Sequence, residues 1–137
     1  MKSFVEVDKL QKGDQVAVIS PSNGLPQIFP EVFELGLQRL QDEFDLVPKE
    51  YPTTRIMGAP LKDRARDIMA AFADPANKAV FTSIGGEDQL KLLKYLDPAI
   101  IRQNPKPFIG FSDNTHIHNF LWSLGIPSYY GGAIMTQ

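Results

Sequence analysis

The sequence predicts an α/β fold, a three-layer sandwich built around a mostly parallel β-sheet. Short apolar runs bounded by turn residues alternate along the chain with stretches in which apolar residues recur at helical spacing. Strands that alternate with helices need right-handed crossovers, which give parallel strands with helices on both faces. The length of 137 residues is that of one domain.

The first half of the chain predicts two strands and two helices. Residues 16–19 form a continuous apolar run between turn residues, which is typical of a buried strand. Residues 30–44 and 61–72 carry apolar side chains at helical spacing, so each predicts an amphipathic helix. Residues 45–48 indicate a weaker strand, because their proline cannot donate to a sheet ladder. In the second helix the side chains expected to face away from the core are Lys62, Asp63, Arg64, Arg66 and Asp67.

The second half repeats the alternation. Residues 79–82 are a β-prone run that leads into two glycines and a leucine-rich stretch ending at Leu96, which predicts strand, turn and helix. Residues 107–111 predict another strand, and the polar residues that follow open a helix with apolar positions up to residue 124. Residues 126–130 predict a last strand.

Composition excludes several classes of function. The chain is 43% hydrophobic and 22% charged, with a net charge of -2, so it lacks the basic footprint of a nucleic-acid-binding protein. It has no cysteine, and its start is too polar for a signal peptide. No segment approaches the roughly 20 apolar residues of a membrane span. We expect a cytoplasmic protein with no membrane and no nucleic-acid partner.

Three loops follow predicted strands, where an open parallel sheet binds ligands: residues 20–24, 83–88 and 110–115. In the last loop Ser112 stands at a sharp strand-to-helix junction with Gly110 two residues before it, as in a nucleophile elbow. The alternative is a helix N-cap, and on these residues alone the cap is the more ordinary role. Asp113 then reads as an acid stabilised by the helix N-terminus.

The other two loops also leave two interpretations open. The backbone of Gly85 and Gly86 can approach a ligand and stabilise an oxyanion, or the pair can serve a tight turn that needs positive φ. Ser20 and Ser22 offer hydroxyls to a substrate, although turn residues are common after a first strand.

Histidine and aromatic residues add little. His116 and His118 lie on the helix after Ser112, and neither is well placed to activate it. Two residues apart on a helix, they do not share a face, so we expect no metal site and no cofactor. Tyr129 and Tyr130 are interpreted as packing residues, and so is Trp122.

Several motifs together resemble the LD-carboxypeptidase family, including the branch of microcin-C self-immunity peptidases. The first motif combines residues 13–14 with residues 16–22, and the second combines Arg64-Ala65 with residues 71–75. The third combines Gly85-Gly86 with residues 92–93 and 96–97, and the fourth is the segment of residues 104–115. The match runs in order along nearly the whole chain. The resemblance implies a flavodoxin-like sheet of the form also found in class I glutamine amidotransferases.

The resemblance also implies a function. Ser112 becomes the catalytic nucleophile, with the backbone amides of Gly86 and Asp113 as the oxyanion hole. Ser20, Ser22 and Gly85 are then expected to contact the substrate. That substrate is an amide near a free carboxyl end: the L,D bond of a murein tetrapeptide, or the bond between a peptide and a nucleotide-like group.

The family's glutamate and histidine come from a second domain, which residues 1–137 do not include. We therefore expect an amino-terminal nucleophile domain that is inactive alone and pairs with its own carboxyl-terminal domain. The resemblance also implies a homodimer. The alternative function is a non-catalytic flavodoxin-like domain that binds a small anionic ligand.

Overall fold

A computed structural model describes residues 2–136. The strands are β1 Gln15–Ile19, β2 Val47–Glu50, β3 Asn77–Thr82, β4 Phe108–Gly110 and β5 Tyr129–Tyr130. The α-helices are α1 Pro30–Phe44, α2 Leu61–Ala73, α3 Pro98–Gln103 and α4 Thr115–Ser123. Three 3₁₀ segments are Leu25–Gln27, Gln89–Tyr95 and Ser112–Asn114.

The five strands form one sheet in the order β2-β1-β3-β4-β5, and every neighbouring pair is parallel. This is the flavodoxin-like order, so the predicted α/β fold class is confirmed. The chain leaves β1 toward β2 on one side and later returns to β3 on the other. The loops after β1 and β3 therefore diverge and open a crevice at the carboxyl edge of the sheet.

Helices cover both faces of the sheet and make three layers. Val16 and Val18 of β1 point to the α1 face, whereas Ala17 and Ile19 point to the face of α2, α3 and α4. All four are at most 1% exposed, which explains why residues 16–19 are all apolar instead of alternating with polar residues. The core on the multi-helix face consists mainly of Ala65, Ile68, Phe72, Val80, Leu92, Ile101, Phe108, Ile117 and Leu121.

The long helices follow the predicted spacing. In α1, Phe33, Leu37 and Leu40 are buried at intervals of three and four residues. The helix ends at Phe44 and is followed by Asp45, whose φ of 55° is the left-handed conformation that commonly closes helices. The predicted limits of this helix, 30–44, agree with the structure.

The prediction was wrong for two side chains of α2. Arg64 and Asp67 were expected to face solvent, but they are 5% and 2% exposed. The carboxylate of Asp67 accepts hydrogen bonds from the amide and the hydroxyl of Thr53, at 2.7 and 2.6 Å. Each polar side chain is buried because loops at the carboxyl edge of the sheet supply its partners.

Other differences lie in short elements. The leucine-rich stretch after the glycine pair is a 3₁₀ helix, Gln89–Tyr95, and the separate short helix α3 was not predicted. Asp97 caps α3 by accepting from the Ala99 amide at 2.9 Å. The last strand keeps only Tyr129–Tyr130 of the predicted 126–130. Within residues 2–136 no helix is long and apolar enough to cross a membrane.

Candidate active site

The backbone bends sharply at Ser112, directly after β4. Phe111 is extended, and Ser112 has a φ of 59°, in the left-handed region. That conformation costs a non-glycine residue about 1–2 kcal/mol and is often found at functional sites. The residue is exposed. A strained residue that presents a hydroxyl between a strand and a helix is the geometry of a nucleophile elbow.

The helix-cap interpretation of Ser112 does not hold. The N-cap of the 3₁₀ segment is Phe111 and that of α4 is Asn114, and neither makes a side-chain cap bond. Ser112 bonds through its backbone instead. Its amide donates to the Tyr130 hydroxyl at 3.1 Å, and its carbonyl accepts from Thr115 Oγ1 at 2.5 Å. Within residues 2–136 the hydroxyl of Ser112 is left free of hydrogen bonds.

Gly85 and Gly86 are small because other loops approach them closely. A methyl group on Gly85 would lie 3.1 Å from Cβ and 3.3 Å from Oγ of Ser112. On Gly86 it would lie 2.7 Å from Cβ of Ser22. Neither glycine has a positive φ, so the interpretation as a turn that needs positive φ is wrong. Gly85 is the residue that brings the second loop against Ser112.

Asp113 joins the three loops through its carboxylate. Its side chain is only 5% exposed. Its Oδ2 accepts from Ser22 Oγ at 2.7 Å and from the Gln89 amide at 3.1 Å. Its Oδ1 lies 3.5 Å from Nε2 of His116. The residue after the predicted nucleophile is therefore tied to both neighbouring loops.

Gln89 is a buried polar residue that the sequence analysis missed. It has no exposed surface, and its Nε2 donates to Ser22 Oγ at 2.9 Å and to Asn114 Oδ1 at 2.8 Å. Its Oε1 accepts from the amide of Ile117 at 3.2 Å. All of its polar atoms are used, so the side chain fixes the start of α4 relative to the first loop.

Arg64 connects the loop of residues 20–24 to the loop of residues 83–88 through a clamp of hydrogen bonds. Its guanidinium donates to the Ser22 carbonyl at 2.7 Å and to the Pro21 carbonyl at 3.2 Å. It also forms a bidentate pair with Asp88, with both N–O distances at 2.9 Å. These bonds hold the pKa of Asp88 below its usual value. The fork geometry suits arginine and not lysine.

Ser20 is at the base of the first loop and not at its surface. It is 2% exposed, and its hydroxyl donates to the Thr54 carbonyl at 2.6 Å and lies 2.5 Å from the hydroxyl of Ser83. The side chain of Ser22 is also buried, against Asp113. Of the three residues predicted to contact substrate, Gly85 is the one that lies against Ser112.

The two histidines occupy different environments. His118 is 8% exposed, and its Nε2 donates to the Gly110 carbonyl at 2.9 Å because a carbonyl can only accept. Its Nδ1 then accepts from the Ser128 hydroxyl at 2.6 Å. Burial lowers the pKa of His118, so the ring is neutral near pH 7. Both nitrogens are used, which leaves neither to activate Ser112; His116 is half-exposed beside Asp113.

A cavity of about 540 Å³ lies away from this site, at the amino edge of the sheet, where Asn77, Lys78 and Lys106 line it. Chemistry in open parallel sheets is found at the opposite, carboxyl edge, where Ser112 is. Among residues 2–136 no three His, Asp or Glu side chains come together to hold a metal ion.

Comparison with known sequences gives one family. Residues 16–131 match the model described as the LD-carboxypeptidase N-terminal domain. YocD of Bacillus subtilis, a carboxypeptidase by name, is 31% identical over 132 residues, which cover 93% of this chain and 41% of YocD. The microcin C7 self-immunity protein MccF of Escherichia coli is 28% identical and is covered to 38%. The chain thus spans about two-fifths of the length of these relatives.

Solved structures agree. An MccF-like protein from Bacillus anthracis superposes with a TM-score of 0.88 and 36% identity, over 95% of this chain and 41% of that one. An MccF-like protein from Streptococcus pneumoniae in complex with AMP superposes with a TM-score of 0.81 and 29% identity, over 90% of this chain and 38% of that one. MccF in complex with glutamyl sulfamoyl guanosine superposes with a TM-score of 0.88 and 25% identity, over 94% of this chain and 40% of that one.

Proposed function

This chain belongs to the LD-carboxypeptidase family, whose N-terminal domain it matches, and on that premise we propose that Ser112 is the nucleophile of a serine carboxypeptidase. One observation carries the proposal. Ser112 is an exposed residue with a left-handed φ of 59°, and its hydroxyl caps no helix. Strain of this kind persists only where the surrounding structure holds it, which supports a functional role for the hydroxyl.

The reaction is acyl transfer through an ester. Ser112 Oγ attacks the carbonyl carbon of the scissile amide, and its proton passes to a general base. The tetrahedral intermediate collapses, the C–N bond breaks, and the base returns the proton to the leaving nitrogen. Water then attacks the ester with help from the same base, and the carboxylic acid and the free serine are released.

The backbone amides of Gly86 and Asp113 are proposed as the oxyanion hole. Neither amide donates to a backbone carbonyl in the loops and turns of residues 2–136, so each is available to a substrate oxygen. A methyl group on Gly85 would lie 3.5 Å from the Asp113 nitrogen, which puts that amide on the Gly85 side of the elbow. An oxyanion hole requires fixed donors of this kind, because they stabilise the developing negative charge.

The names of the relatives support a proposal for the substrate class. A second Bacillus subtilis relative, 27% identical, is named for murein peptide carboxypeptidase activity. MccF has been solved with glutamyl sulfamoyl guanosine, an aminoacyl nucleotide analogue. We propose an amide near a free carboxyl end, in a murein tetrapeptide or in a peptidyl nucleotide.

The general base is proposed to come from outside residues 1–137. Both nitrogens of His118 are engaged by Gly110 and Ser128, and the relatives are more than twice as long as this chain. A carboxyl-terminal domain would supply a glutamate and a histidine, and its own surface would close the crevice. We further propose a cytoplasmic homodimer that needs neither metal nor cofactor.

Covalent labelling tests the proposal. The full-length protein is treated with a fluorophosphonate probe, which reacts with activated serines, and Ser112→Ala is treated in parallel. We expect one label per chain, lost in Ser112→Ala and kept in Ser123→Ala, a control at an exposed serine on α4. A label that survives Ser112→Ala would contradict the proposal. Failure of the wild-type protein to react would favour the non-catalytic binding domain.

A further inference from the structure

We propose that Tyr130 is a positioning residue whose hydroxyl holds the Ser112 elbow in its strained conformation. This rests on the proposed function, because it assumes that Ser112 is the nucleophile. The key contact is the hydrogen bond from the Ser112 amide to the Tyr130 hydroxyl, at 3.1 Å. No other side chain accepts from that amide within residues 2–136.

The backbone at Ser112 is held from both sides. On the amide side the partner is Tyr130, and on the carbonyl side Thr115 Oγ1 donates at 2.5 Å. Thr115 is local, three residues along the same chain segment, and moves with the elbow. Tyr130 is on another strand, so its bond ties the Ser112 amide directly to the sheet.

The position of Tyr130 is set by the sheet. Tyr130 pairs with Gly110 in the register of β4 and β5, and the Gly131 amide donates to the Gly110 carbonyl at 3.1 Å. Gly110 is two residues before Ser112, so the end of β4 both leads into the elbow and pairs with Tyr130. The pairing therefore fixes the backbone of Tyr130 relative to the Ser112 amide that its hydroxyl contacts.

His118 supports the tyrosine ring. The two ring centroids are 5.5 Å apart, with planes inclined at 46°. The imidazole is itself fixed by its bonds to the Gly110 carbonyl and the Ser128 hydroxyl. A buried, fully bonded histidine limits the tilt of the tyrosine and so narrows the range of its hydroxyl.

Packing does not explain the tyrosine hydroxyl. Tyr130 is 66% exposed, so removal of its hydroxyl creates no buried cavity. Water can also reach any polar atom that loses the tyrosine as its partner. The phenolic oxygen accepts from Ser112 while its own proton is free to reach solvent or substrate. A group with this placement acts on the geometry of the elbow more than on the stability of the fold.

The test uses the full-length protein and the variant Tyr130→Phe, which removes only the hydroxyl. We expect the rate of fluorophosphonate labelling and kcat to fall together by about two- to tenfold, the range for one hydrogen bond. KM and the thermal unfolding midpoint should stay at their wild-type values. The matched control is Tyr129→Phe, the preceding residue on the same strand, which is 53% exposed and whose hydroxyl is unbonded among residues 2–136.

Ser112→Ala in the same series separates the two proposals. If Ser112→Ala keeps the label, the proposed function fails. If it loses the label while Tyr130→Phe reacts and turns over at the wild-type rate, only the positioning role fails. A rise in KM alone, with unchanged labelling, would make Tyr130 a substrate contact and overturn the inference. So would an equal loss in Tyr129→Phe.

Discussion

Gly85 lies so close to Ser112 that a methyl group in place of its α-hydrogen would sit 3.3 Å from the serine Oγ. The two residues come from different loops, after β3 and after β4. Their contact places the backbone of one loop directly against the serine side chain of the other. It also makes a glycine, with no need for positive φ, a direct requirement of the site.

The substitution Gly85→Ala should impair catalysis more than folding. The added methyl must push Ser112 by a few tenths of an ångström, because the contact is tighter than ordinary van der Waals distance. We expect turnover and fluorophosphonate labelling of the full-length protein to fall at least about tenfold, since small misplacements at a reacting centre are costly. The free energy of unfolding should change by less than about 1 kcal/mol. Gly131→Ala, where a methyl would meet open space, is the control; equal losses in both variants would contradict the steric account.

The substitution Arg64→Ala should destabilise the carboxyl-edge loops. It removes the donors to the Pro21 and Ser22 carbonyls and leaves Asp88 without its partner. We expect a loss of about 2–4 kcal/mol in the free energy of unfolding measured with urea, as for other buried hydrogen-bonded charges. Arg66→Ala, an exposed arginine on the same helix, should cost less than about 0.5 kcal/mol. A similar small cost for Arg64→Ala would mean that the clamp does not form.

Burial of His118 should make stability depend on pH. Its folded pKa is lowered below the unfolded value of about 6.5, so the unfolded state binds more protons as the pH falls past that value. The His118 contribution is complete above about pH 7 and is lost as the pH falls below 6.5 toward the folded pKa. We expect the stability difference between wild type and His118→Gln, measured by urea unfolding, to shrink across this range.

Other titrating groups do not confuse that measurement. The pKa values of Asp74 and Asp88 are also lowered, by hydrogen bonds from Lys49 and Arg64 respectively, and their contributions are lost at more acidic pH. Both carboxylates are present in both proteins, so their contributions cancel in the difference. A stability difference that stays constant from pH 8 to pH 5 would contradict the buried, neutral ring.

Residues 1–137 alone should hydrolyse no L,D-tetrapeptide and no peptidyl nucleotide at a measurable rate. A serine hydroxyl without a base is a weak nucleophile near neutral pH, and both nitrogens of His118 are already bonded. The measurement is product release by this domain and by the full-length protein under the same conditions. Turnover by the domain that is abolished by Ser112→Ala would place a base within these residues.

Much of the fold follows from local patterns in the sequence. The helix 30–44 and the strand 16–19 were predicted because their apolar residues repeat at one clear period and are bounded by turn residues. The strand-to-helix bend at Ser112 could be located, since a polar residue follows an apolar run. Its left-handed φ could not, because one residue's backbone conformation depends on partners such as Tyr130.

The polar residues beneath the site were not predictable in this way. Arg64 and Gln89 are buried only because loops from three strand ends meet around them. In a helical pattern each occupies a position that is ordinary for a surface residue. A polar side chain on a helix is predicted to be exposed until its partners are known, and apart from the Ala59 carbonyl those partners lie 24 to 67 residues away in the chain.

The most direct test is a crystal structure of the full-length protein after reaction with a fluorophosphonate. We predict a covalent bond between phosphorus and Ser112 Oγ, with the phosphonyl oxygen about 2.7–3.1 Å from the amide nitrogens of Gly86 and Asp113. An adduct on a different residue would contradict the account, as would a Ser112 hydroxyl turned back toward the first turn of α4.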